Sequence, residues 1–102
     1  MHLSPEEKIK LQEQFLIWAS SKASAFLSLD AVCRLYNEKE GYEIYLFAQE
    51  ITNPNVVWAL TQGNNIEVRS ILLSETFGFV LDKQFKHILI SDLYSILIKK
   101  YQ

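Results

Sequence analysis

The chain has 102 residues, 49% of them apolar and 22% charged, with three glycines and two prolines. That length and balance define one packed domain over residues 1–102 and exclude a disordered chain or a cofactor domain set beside a substrate domain. A net charge of −2, with both signs spread along the sequence, leaves no clustered basic footprint for phosphates and argues against nucleic acid as the partner.

No stretch offers the ~20 consecutive apolar residues of a membrane span. Residues 1–10 carry acids and a proline where a secretory signal would place a basic start and an apolar run, so a mature chain starting near Met1 in the cytoplasm is expected. Cys33 is the single cysteine, which excludes an internal disulfide and a multi-cysteine zinc site.

In chain order, Ser4-Pro5-Glu6-Glu7 is the sharpest local signal. A serine N-cap, a proline at the first helical position and a glutamate three residues after the cap predict a capping box. Leu11, Phe15, Trp18 and Lys22, flanked by Ile9, Leu16 and Ala19, recur at helical spacing and predict a helix over 5–22. From Ala25 to Leu35 every odd position is apolar, which is strand periodicity. The loop 37–41 ends in Gly41, and Tyr42 to Ile51 is rich in aromatic and β-branched residues, so a hairpin is expected. The competing reading makes 29–40 a helix capped by Ser28 and ended by Gly41. Thr52-Asn53-Pro54-Asn55 predicts a turn, Val56 to Thr61 a third strand, Gly63-Asn64 a tight hairpin loop, and Ile66 to Leu73 a fourth strand. A short fifth strand over 77–81, bent at Gly78, is followed by 85–90, a strand or the start of one long helix through Tyr101; Ser91 and Asp92 read as an N-cap and favour a short strand and then a helix over 92–101. The fold class expected is α+β: an N-terminal helix, an antiparallel meander of four to five strands and a C-terminal helix.

These loops pair Tyr36 with Tyr42, Ile51 with Val56, and Trp58 with Arg69. Because directly paired residues share a face, Leu29, Cys33, Leu35, Tyr45, Phe47, Val56, Trp58, Leu60 and Ile71 fall on one face with Glu43, Glu67 and Arg69. Val32, Ile44, Leu46, Ala48, Val57, Ala59, Ile66 and Val68 fall on the other, with Asp30 and Arg34. Neither face is polar, and two helices cover both only incompletely. Exposed apolar area of that kind marks an interaction surface, so a protein partner or a homodimer is expected.

Catalytic patterns are sparse. Cys33 with His87 and Asp92 or Asp82 has the residue types of a thiol nucleophile with base and orienter, but Cys33 sits in an apolar alternation that suits an inert core thiol. Two isolated histidines supply no metal set, and the lone glycines at 41, 63 and 78 form no phosphate cradle. No cofactor or metal is expected. Glu38, Glu40 and Glu43 make an acidic hairpin. The reading that fits these features is a small non-enzymatic binding protein of the inhibitor, immunity-type, adaptor or chaperone-like kind. It would work through a sheet face whose candidate residues are Trp58, Arg69, Glu67, Leu60, Phe47 and Tyr45. The alternatives are an enzyme site assembled between two copies from His87, Glu75, Asp82, Tyr94 and Cys33, and a single-stranded nucleic-acid binder using Arg69, Lys83 and Lys86 around Trp58.

Overall fold

The computed structural model describes residues 3–21 and 26–100. Helix α1 runs from Pro5 to Ser21, and its capping box is formed: the Ser4 N–H donates to Glu7 Oε1 at 2.8 Å and the Glu7 N–H to Ser4 Oγ at 3.1 Å. Lys22 and Ala25 lie outside the described residues. A 3-10 turn over 26–28 delays the first strand, so the alternation starting at Ala25 is not strand throughout. Strands β1 (Asp30–Ala31), β2 (Cys33–Asn37), β3 (Tyr42–Gln49), β4 (Val56–Gln62) and β5 (Ile66–Leu72) follow. A 3-10 turn over Leu73–Thr76, strands β6 (Val80–Leu81) and β7 (Ile88–Leu89), and helix α2 (Ile90–Lys99) complete the chain.

The architecture is α+β, with β2 to β5 as an antiparallel meander. The main sheet has the order β5-β4-β3-β2-β6, and β1 pairs with β7 as a separate ribbon. The hairpin over 33–49 displaces the helical reading of 29–40. Helix α2 begins at Ile90, two residues earlier than Ser91 and Asp92 suggest. No side chain caps it; instead the Ile90 N–H donates to the Leu29 carbonyl at 2.8 Å and the Ile90 side chain is fully buried. A tertiary contact fixes this start and supersedes the local cap signal. Among the described residues no helix is long and apolar enough to cross a membrane.

All three expected loops differ by one residue from the expected register, and each slip moves side chains to the opposite face. At the first, Asn37 pairs with Tyr42 and Tyr36 with Glu43, because Asn37 keeps its place in the ladder while its Oδ1 accepts the Glu40 N–H. Gly41 closes this turn with φ +61°. At the third, Gln62 pairs with Ile66 across a three-residue loop, which sets Trp58 opposite Ser70 and Ala59 opposite Arg69. Gly63 is required there by space: a Cβ would lie 2.7 Å from the Tyr42 ring. The Ile51–Val56 pair is also displaced, since Gln49 faces Val57.

Each sheet face carries its own core. Cys33, Leu35, Ile44, Leu46, Val57 and Ala59 pack with Leu3 and Leu11 on one face, beneath Leu73, Phe79 and Leu81. Tyr45, Phe47, Ala48 and Leu60 pack with Ile90, Leu93 and Leu97 of α2 on the other, flanked by Phe15, Trp18 and Trp58. The expected shortage of cover is therefore corrected for the centre of the sheet, where the segment 73–79, with Leu73 and Phe79 packed on the core, serves in place of a third helix. Cover stops short of β5, most of whose residues are exposed.

Helix α1 serves both cores because β3 bulges between Leu46 and Ala48. The bulge turns Phe47 and Ala48 together into the α2-side core, as an inserted residue does when two oppose one. Where β1 departs from the main sheet, Gln14 of α1 fills the gap. Its amide donates to the Asp30 carbonyl at 2.9 Å and the Phe47 carbonyl at 2.6 Å, and its Oε1 accepts the Asp30 N–H at 2.8 Å. The buried edge of α1 is thus Leu11, Gln14, Phe15 and Trp18, while Ile9 and Leu16, each 58% exposed, face outward.

Candidate functional site

The six interface candidates divide between the two faces. Tyr45, Phe47, Trp58 and Leu60 belong to the core beneath α2. Phe47 is fully buried and sits edge-on to Trp18 and Phe26 at 5.2 and 5.1 Å, while Trp18 lies 5.7 Å from Trp58. Glu67 and Arg69 lie on the opposite face, 4.0 Å from each other, and Arg69 Nη1 donates to the Tyr42 hydroxyl at 3.4 Å. The expected pairing of Trp58 with Arg69 is therefore corrected: Trp58 faces Ser70, and the sheet stands between it and Arg69. The same separation removes the stacking platform that the nucleic-acid alternative needs.

Cys33 is buried, as its alternation implies, but its neighbours across the ladder are Leu46 and Ile44 rather than Tyr45 and Phe47. Its Sγ donates to Glu7 Oε2 at 3.1 Å. Burial pushes the thiol pKa far up, and the Glu7 carboxylate adds to the shift. Partial burial raises Glu7, but hydrogen bonds from the Ser4 backbone, Cys33 and the Ser4 side chain outweigh it and hold the carboxyl below its ordinary value. A thiolate beside this carboxylate is disfavoured, which is the reverse of what a nucleophile needs. Ellman's reagent should therefore label the native protein slowly and the urea-unfolded protein at the rate of a free thiol. Fast labelling without denaturant would contradict the buried placement.

The remaining enzyme candidates are dispersed. His87 and Glu75 are exposed, Asp82 is held by Arg34, and among the described residues no hydrogen bond joins any two of His87, Glu75, Asp82, Tyr94 and Cys33. Nor do the described residues contain a group of three or more His, Cys, Asp or Glu able to hold a metal ion.

An ion cluster not anticipated from the sequence forms at the first hairpin. Arg34 donates through Nε to Glu43 at 3.0 Å, through Nη2 to the same carboxylate, and through Nη1 to Asp82 at 2.9 Å. Its guanidinium also lies 4.7 Å from the Tyr36 ring centre. Glu43 is thereby withdrawn from the acidic hairpin, leaving Glu38 and Glu40 exposed. Arg34 and its two carboxylates satisfy one another beside an open recess of about 490 Å³, whose lining also includes Gln62, its Oε1 buried without a hydrogen-bond partner.

Besides the buried, unpartnered Trp58 Nε1 and Gln62 Oε1, strand β5 leaves main-chain groups without a protein partner. It pairs with β4 without interruption from Ile66 to Leu72, and among the described residues nothing pairs with its other edge. The direction of each amide follows from one bond beyond the ladder: the Leu73 N–H donates to the Asn55 carbonyl at 2.7 Å. Antiparallel alternation then turns the backbone groups of Ile71, Arg69 and Glu67 toward β4 and those of Leu72, Ser70, Val68 and Ile66 outward. Val68 and Leu72 are 41% and 37% exposed on the α2-side face. Sequence reading singled out the charged residues of this strand but missed its edge, although the last strand of a meander has no successor to cover it. Comparison with protein-family models, with curated proteins and with solved structures finds no match to this chain.

Proposed function

We infer that the chain is a non-enzymatic protein-binding domain whose contact is the outer edge of β5, extended by the exposed Val68 and Leu72 beside it. The single observation that carries this reading is the seven-residue edge strand in unbroken register and exposed along most of its length. Natural edge strands are commonly shortened, bulged or interrupted by proline to prevent added pairing. This one has none of these devices; its exposed charges, Glu67 and Arg69, are of opposite sign, and its main-chain groups suit the addition of a strand from a partner, with alternate side chains supplying specificity. The paired carboxylates around Arg34 and the buried, proton-retaining Cys33 support binding over catalysis.

The test is Val68→Pro. The Val68 N–H points away from β4, so proline removes an edge donor while leaving the β4–β5 ladder its bonds. Affinity capture with wild-type and Val68→Pro baits, each checked for native circular dichroism, should give proteins retained by the first and lost by the second. An identical set on both baits would reject the edge. Val68→Lys, which blocks an edge by charge, repeats the comparison if proline lowers stability.

A further inference from the structure

We propose that a second copy of this chain occupies the edge, β5 pairing antiparallel with its counterpart about a two-fold axis through Val68, to give a continuous ten-stranded sheet. The proposal rests on the edge reading above and names its occupant.

Charge complementarity selects this register. With Val68 opposite itself, Glu67 of each copy stands opposite Arg69 of the other, and Ile66 stands opposite Ser70. Moving the axis to residue 67 sets two glutamates face to face, and moving it to residue 69 sets two arginines face to face; like charges directly opposite are destabilising. An axis at Ile66 or Ser70 gives neither charge an opposite partner. The direction of the amides agrees with the Val68 axis. Val68, Ile66 and Ser70 carry the outward N–H and C=O groups, so all three become hydrogen-bonded positions. Glu67 and Arg69 fall at the non-hydrogen-bonded positions between them, where facing side chains approach most closely. Within one copy Glu67 and Arg69 are 4.0 Å apart and each 55% exposed. Pairing would assemble four alternating charges on the face opposite α2. On the α2 face the two Val68 side chains meet, covering an apolar residue that is 41% exposed in the single chain. Such an interface is isologous and closes on itself, so it ends at a dimer.

Sedimentation equilibrium at micromolar concentration should give twice the 11.9 kDa chain mass. Glu67→Arg alone places arginine opposite arginine, and Arg69→Glu alone places glutamate opposite glutamate. Each should weaken dimerisation about tenfold or more. An equimolar mixture of the two variants should restore the double mass as a heterodimer, since positions 67 and 69 are then both arginine in one chain and both glutamate in the other. Both substitutions fall on exposed side chains, and recovery in the mixture certifies that each variant is folded. A wild type that stays at single mass to ~100 μM, far above the dissociation constants of specific dimers, overturns self-pairing, while edge binding is still judged by Val68→Pro capture. A dimer indifferent to both charge variants and to Val68→Pro overturns the proposal, because it forms elsewhere on the molecule.

Discussion

Phe47→Ala is expected to lower the unfolding free energy by about 3–5 kcal/mol and the melting temperature by roughly 15–30 °C for a domain of this size. Phe47 is fully buried and lies edge-on to both Trp18 and Phe26. Those contacts tie α1, the 26–28 turn and β3 into one cluster, which α2 closes through Leu93 and Leu97. The bulge makes the loss larger than burial alone implies, because Ala48 beside it is already small and cannot expand into the void. Urea unfolding followed by tryptophan fluorescence is a direct readout, since Trp18 reports on the same cluster. A loss under ~1 kcal/mol, the ordinary effect of a point mutation, would show that Phe47 is not the centre of this core. With total stabilities of ~5–15 kcal/mol typical of small domains, this substitution brings the chain close to its limit.

The same residue shows how far the sequence could be read. Alternation in Tyr42 to Ile51 was legible, and Tyr45, Phe47, Trp58 and Leu60 do share a face, because Tyr45 stands opposite Leu60, a shift from the expected pairing that preserves parity. The bulge was not legible, because it depends on β1 leaving the sheet and on Gln14 filling the gap. Gly63 misled for a physical reason: glycine in a hairpin suggests positive φ, whereas here the Tyr42 ring excludes a side chain. The resulting one-residue slip carried Glu67 and Arg69 to the wrong face and produced a Trp58–Arg69 pair that the sheet forbids. Arg34, Glu43 and Asp82 could not be joined in advance because β6, which brings Asp82 beside Arg34, has only two residues. The interaction surface was sought on a sheet face, where the 73–79 segment supplies unexpected cover, and the exposed feature is an edge.

Gln14→Ala is expected to cost ~3 kcal/mol or more, although it replaces a polar residue by the best helix former. Gln14 is 4% exposed and holds three backbone groups that have left the sheet: the Asp30 N–H, the Asp30 carbonyl and the Phe47 carbonyl. Removing its amide leaves each without that partner, and an unsatisfied buried group costs about 1–3 kcal/mol; the gain in helix propensity is a few tenths. Gln14→Glu should also destabilise, because a carboxylate can still accept from Asp30 but turns negative oxygen toward two carbonyls. Leu16→Ala, on the same helix at a side chain 58% exposed, should change stability by no more than ~0.5 kcal/mol. A composition-based ranking would place leucine above glutamine, so the order of these substitutions separates the two accounts. Hydrogen exchange locates the effect, with the Asp30 amide losing protection in Gln14→Ala before the β3–β4 ladder does. If Gln14→Ala and Leu16→Ala unfold at the same urea concentration, the side-chain bridge between α1, β1 and β3 does not hold the split sheet together.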